Sequence, residues 1–141
     1  GDGFLAVFGA PAMQPPEFSA KAAIETAMEL QKQVKELQQK LQKDSLPPLR
    51  LRVGIHSGRI IAGSMGGAER IEYALIGDSV NVAARLESLD KEKMSNDCRI
   101  LVSAETLSLI DTSSLILDAW GFCKVKGRDK PVHVSELRKR N

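Results

Sequence analysis

Asn81 and Arg85 stand four residues apart in the stretch RIEYALIGDSVNVAARLE, which runs from Arg70 to Glu87. If that stretch turns into a helix near Ser79, the amide and the guanidinium project together from one edge. Such a pair, just past a strand and a sharp turn, suits an anionic, oxygen-rich ligand such as a phosphate ester. It is also what the solvent side of any amphipathic helix shows, and from spacing alone that plainer reading is the simpler one. Asp2 is a hard carboxylate able to bind Mg²⁺ at the mouth of an apolar run, or merely the first residue of an Asp-Gly turn. His56 has no second His or Cys at ligand spacing, which favours a structural role. Lys126 is one lysine among several in the basic turn Lys126-Gly127-Arg128-Asp129-Lys130. Cys98 and Cys123 lack metal-ligand spacing and are too few for a disulfide framework, although a single pair could bond.

Periodicity supplies the elements that must hold these groups. Phe4 to Phe8 is apolar throughout and reads as a central strand buried on both faces. The prolines of GAPAMQPP interrupt pairing before a long helix, roughly Glu17 to Lys43. Its Ala20, Ala23, Ala27, Leu30, Val34, Leu37 and Leu41 make a heptad-like seam. The three leading alanines suit packing on a sheet better than a zipper. Its Lys and Gln face reads as solvation only. Asp44-Ser45-Leu46-Pro47-Pro48 ends it. Leu49 to His56 alternates as a half-buried strand, Arg59 to Ser64 follows as another, and Met65-Gly66-Gly67 is a loop.

Arg70 to Ile76 is the next strand, with a turn at Gly77-Asp78. Asp78 or Ser79 is expected to cap the helix, whose buried stripe is Val82, Leu86 and Leu89. Beyond a polar loop from Asp90 to Asp97, Arg99 to Val102 is a short strand. Ser103 then caps a helix reaching about Ile110. Leu115 to Trp120 and Phe122 to Val125 read as strands. Val132 and Val134 alternate with His133 in a last edge strand, and Arg138-Lys139-Arg140 reads as a solvated tail.

The 141 residues suit one domain with a single core. A net charge of +2 is too small to imply a nucleic-acid partner, and 4% aromatics leaves little for base stacking. No apolar run approaches the roughly 18 residues of a membrane span, and no signal peptide opens the chain. A reducing cytoplasm, or the cytoplasmic face of a larger membrane-bound protein, is the expected compartment. A start without Met, inside what should be a hairpin, reads as a fragment.

The order GDGFLAVFGAP, RVGIHSG, GSMGGAERIEYALIGDSVNVAARLE resembles the catalytic domain of class III adenylate and guanylate cyclases of bacterial type, from Gly1 to about Glu136. The resemblance implies that residues 1–141 are one N-terminally truncated domain. Its class would be α+β, a ferredoxin-like core with a mostly antiparallel sheet, helices on one face, and the first strand and helices missing. It implies an intramolecular reaction in which a ribose 3′-oxygen attacks the α-phosphorus of a nucleoside triphosphate and pyrophosphate leaves. Asn81 would orient the ribose, Arg85 would stabilise charge on the transferring phosphoryl group, and Lys126 would contact the triphosphate. Asp2 would be one ligand of two Mg²⁺ ions, for which Mn²⁺ could substitute.

Seven residues before the asparagine, adenylate cyclases usually carry Asp or Thr and guanylate cyclases often a small residue; here it is Ala74, so the base would be read by backbone groups such as those of Leu75, or be discriminated weakly. ATP is the expected substrate because adenylate cyclases are the commoner bacterial-type members, with GTP the alternative. The expected assembly is a homodimer with composite sites, and the chain alone would be inactive. A non-catalytic cyclase-homology module is the second reading. A ferredoxin-like RNA-binding domain is the third, and it would need exposed aromatics on adjacent strands.

Overall fold

A computed structural model describes residues 2–10, 12–65 and 72–140, with backbone alone for 62–65, 72–76 and 139–140. Pro16 opens helix α1 (Pro16–Lys43) at a position where its missing N–H costs nothing, and Glu17 at the start and Lys40 and Lys43 at the end complement the helix dipole. Ala20, Ile24, Ala27 and Val34 are its buried stripe. Those positions keep the 3.6-residue helical period. The heptad seam drifts off it, which leaves Leu37 43% exposed. Gln31 and Gln38 continue the stripe. Gln31 Nε2 donates to the Cys98 carbonyl (2.8 Å), and Gln38 Nε2 donates to the Leu49 carbonyl (2.9 Å) while its Oε1 accepts from Leu49 N–H (2.8 Å). These two glutamines therefore tie α1 to the rest of the fold and do more than solvate it.

Strands β1 (Leu51–Ile55), β4 (Cys98–Ser103), β6 (Val132–Arg140) and β5 (Leu115–Cys123) form one sheet in the order β1-β4-β6-β5. β1 and β4 are parallel; the other neighbours are antiparallel. Between β1 and β4 the chain makes a separate hairpin, β2 (Ile61–Met65) with β3 (Glu72–Ile76), and then helix α2 (Asp78–Ser88). A four-residue helix α3 (Ala104–Leu107) follows β4, with Ser103 Oγ accepting from Thr106 N–H as expected of its cap. This is the α+β architecture that the sequence predicts.

The helices do not share one face. Successive residues of a strand point to opposite sides. On β4, Cys98, Ile100 and Val102 pack with Ile24, Ala27 and Val34 of α1, whereas Leu101 packs with Val82 and Leu86 of α2. Cys98 and Cys123 fall in these two different clusters, and both thiols are free. Burial pushes the Cys98 thiol up to about 11.

Other expectations also change. Phe4 to Phe8 is not a buried central strand: it lies in no ladder, and Phe4 and Leu5 are 81% and 52% exposed. An extended segment with no partner strand satisfies neither its backbone groups nor its apolar faces. β6 is an interior strand, and residues 138–140 belong to it, because β5 continues the sheet beyond it. The two strands expected around Gly121 are one, β5, with a register shift between Ala119 and Gly121; Gly121 takes φ 93°, where L-residues are strained. The helix after Ser103 ends at Leu107 and not near Ile110. The loop expected at Gly66-Gly67, and Arg70 and Ile71 of the expected strand, lie outside the described residues.

Candidate active site

Helix α2 is seated by glycines. A Cβ on Gly54 of β1 would collide with the Ala83 carbonyl oxygen and the Glu87 N–H, so the helix backbone rests directly on the strand. A Cβ on Gly58 would likewise strike Ser79 Oγ. The buried side of α2 is Val82 and Leu86, with Leu89 partly buried beside them, as its spacing predicts. The cap differs. Gly77 occupies the N-cap with no side-chain bond, and Asp78 is spent elsewhere.

Asn81 and Arg85 are exposed together on one edge of this helix, each one position before a buried residue, Val82 or Leu86. Neither side chain makes a hydrogen bond or ion pair with any described residue, so both are free to meet a ligand. Lys126 is exposed in the turn that follows Val125, and Val125 is buried against Val82 and Leu86. Arg128 ties that turn down: its Nε lies 3.6 Å from Asp78 Oδ2 at the start of α2, and its Nη2 lies 3.6 Å from Glu105 Oε2 on α3. The turn carrying Lys126 and the helix carrying Asn81 and Arg85 are thus joined by packing and by charge.

Beneath this junction is a polar cluster. His56 Nδ1 is 2.8 Å from Ser103 Oγ, and Ser57 Oγ is 2.9 Å from Thr106 Oγ1. Burial lowers the His56 pKa from its usual value, partly offset by Glu105 and Asp78 and reinforced by Arg128. His56 is therefore a structural hydrogen-bonding residue.

Ala74 and Leu75 lie in β3, with backbones opposite Gly63 and Ala62 of β2. In an antiparallel ladder, consecutive residues alternate between facing the partner and facing away. Among the described residues β3 pairs only with β2, so one of these two offers its N–H and C=O to an open edge. Asp2 is exposed, and no described contact joins it to any of the other five predicted site residues. Its segment leads into α1, on the sheet face opposite α2. Among the described residues no group of three His, Cys, Asp or Glu side chains could hold a metal ion. Asp2 alone does not make a metal site.

Sequence reasoning missed Arg99 and Arg128. Arg99 left a signal, a cation inside the apolar run CRILVS; Arg128 left none beyond being one more charge in a basic turn. A groove of about 470 Å³ between α1 and the α3–β5 connection, lined by Phe18, Ile24, Leu109 and Leu115 among others, holds none of the predicted site residues.

An exposed amide and guanidinium on a sheet-backed helix, tied to a lysine turn, can donate hydrogen bonds to an anionic, oxygen-rich ligand. Residues 1–135 match the family of adenylate and guanylate cyclase catalytic domains, and the chain belongs to that family. It is 29% identical over 137 residues to adenylate cyclase 1 of Rhizobium meliloti (strain 1021), covering 97% of this chain and 20% of that protein. The crystal structure of the adenylyl cyclase CyaB from P. aeruginosa superposes with a TM-score of 0.79 at 30% identity, over 95% of this chain and 66% of that one. The guanylyl cyclase Cya2 does so with 0.75 at 26% identity, over 95% and 64%. The chain spans about a fifth of the length of the curated relatives it matches. Cyclases of this class generally use divalent metal ions. Among the described residues no helix is long and apolar enough to cross a membrane.

Proposed function

We propose that this domain is the catalytic part of a nucleotidyl cyclase that converts ATP to 3′,5′-cyclic AMP and pyrophosphate, with GTP as the alternative substrate. The observation that carries the reading is the free pair Asn81 and Arg85 on a helix tied to the Lys126 turn, in a chain of the cyclase family. In the reaction the ribose 3′-hydroxyl gives up its proton to solvent as its oxygen forms a bond to the α-phosphorus, the bond from that phosphorus to the bridging oxygen breaks, and the electron pair leaves with pyrophosphate. Asn81 holds the ribose for in-line attack. Arg85 donates to the equatorial oxygens as charge builds on them, the kind of preorganised donor that is worth most in the transition state. Lys126 holds the polyphosphate.

Ala74 offers no polar side-chain atom, so the open edge of β3, at Ala74 or Leu75, reads the base through backbone groups. Asp2 would supply one carboxylate to a pair of Mg²⁺ ions, or Mn²⁺ in their place, which would neutralise charge on the triphosphate. The described residues do not complete that ligand set. The cyclase resemblance, together with the absence of any described contact between Asp2 and α2, supports a composite of two copies, Asp2 from one and Asn81, Arg85 and Lys126 from the other.

The full-length protein, supplied separately with ATP and with GTP in Mg²⁺, should release cyclic nucleotide and pyrophosphate in equal amounts. A higher kcat/KM for ATP supports the adenylate reading and a higher value for GTP replaces it. Neither product with either nucleotide leaves a non-catalytic module.

A further inference from the structure

Arg99 is fully buried in β4, where its neighbours in the strand are apolar. Its Nη2 donates to the carbonyls of Glu87 (3.1 Å) and Leu89 (2.6 Å), and its Nη1 to those of Asp90 (2.6 Å) and Lys93 (3.2 Å). Its Nε has no partner, and its guanidinium carbon lies 5.1 Å from the centre of the Trp120 ring. Four carbonyls on one side chain is an unusual use of a buried cation, and all four belong to the end of α2 or the loop leaving it.

A helix end leaves its last carbonyls without intrahelical donors. In α2 the Arg85 carbonyl accepts from Ser88 Oγ (3.2 Å) and the Leu86 carbonyl from Leu89 N–H (3.3 Å). The chain then leaves in an extended conformation at Leu89, with no glycine to close the end. The Glu87 carbonyl is met instead by two arginines: Arg99 and, through Nε at 3.2 Å, Arg52. Arg52 also pairs with the Glu87 carboxylate at 3.0 Å, which eases the repulsion between two cations on one oxygen. Positive charge at a helix C-terminus is favourable, and here it is desolvated.

We propose that Arg99 and Arg52 clamp the carbonyl end of α2 and act as positioning residues for Arg85, two residues upstream of the carbonyl they share. Among the described residues the Arg85 side chain has no partner, so its aim is set by the helix backbone, and the clamp fixes that backbone at the nearer end. The catalytic part of this inference rests on the cyclase reading; the clamp itself does not.

The test uses the full-length protein with R52A, R99K and R85A, alone and combined, read by amide hydrogen exchange and by steady-state turnover of ATP or GTP. Exchange in residues 86–93 should accelerate about tenfold in R52A and R99K while α1 is unchanged. R99K should lower kcat by about 10- to 100-fold, as small misplacements at a reacting centre do, with KM moving little. R52A should do the same more weakly. In the R85A background either substitution should cost less than about twofold, because the residue through which it acts is gone. A loss of the same factor in both backgrounds, or exchange that rises evenly over the chain or not at all, overturns the proposal. If R99K does not fold, R52A carries both readouts, since its side chain is 32% exposed. If the wild-type protein turns over neither nucleotide, the cyclase reading fails and the exchange result still decides the clamp.

Discussion

A guanidinium that makes no hydrogen bond or ion pair with any described residue contributes little to folding, so removing it isolates its service to a ligand. Arg85→Ala should leave thermal unfolding unchanged and lower kcat by about 10²–10³ with KM little altered. Steady-state kinetics on the full-length protein check this; an unchanged kcat with a raised KM means Arg85 only binds substrate. His56 is the opposite case, committed to the fold and not to chemistry. Its folded pKa is lowered by burial, so below about 6.5, the usual value, the unfolded chain takes up the proton more readily. The contribution is fully present above that pH and is lost as pH falls through the lowered folded value. The melting temperature should therefore drop between neutral pH and about pH 5, and His56→Gln should flatten part of that drop.

The 3.6-residue period puts Asn81 and Arg85 together on one edge of α2, about 100° around from Val82 and Leu86, but their assignment to a site comes from the family resemblance. Lys126 was legible only through family resemblance, since nothing local separates one turn lysine from another. Its tether, Arg128 to Asp78, joins residues distant in sequence and left no pattern.

At the scale of elements, the approach of α2 to β1 turns on a single absent Cβ. Gly54→Ala puts a methyl group against the Ala83 carbonyl, backbone against strand with no flexible side chain to yield. The expected cost is about 1–3 kcal/mol, seen as a lower melting temperature, together with reduced turnover because α2 is displaced. A substitution that leaves both unchanged contradicts the seating described. The long helix and the α2 stripe were readable as periods in the chain. What was not readable is where each strand sits in the sheet. Val132–Arg140 alternates and ends in charges, which is how an edge strand reads, yet β5 covers it and Arg138 Nη2 donates to Asp118 Oδ2 at 2.8 Å. Phe4–Phe8 has the composition of a central strand, but composition cannot supply the neighbour that makes one.

At the scale of the molecule, α1 and α2 lie on opposite faces of one sheet. Asn81 and Arg85 ride on α2, which Arg128 ties to the Lys126 turn, and no described contact joins Asp2 to them. In a two-fold homodimer the same patch meets itself, so a site shared across that patch occurs twice, each copy built from both subunits. Complementation tests this most directly. Asp2→Ala and Arg85→Ala, made separately in the full-length protein, should each be nearly inactive in cyclic nucleotide synthesis, because each substitution damages both sites of its dimer. Mixed and allowed to exchange subunits, the heterodimer gathers both lesions in one site and leaves the other whole. With free exchange about half the dimers are mixed, each with one good site, so activity should return to roughly a quarter of wild type. A mixture no more active than its components, with heterodimer formation verified, would contradict the composite site and place every catalytic group within one subunit.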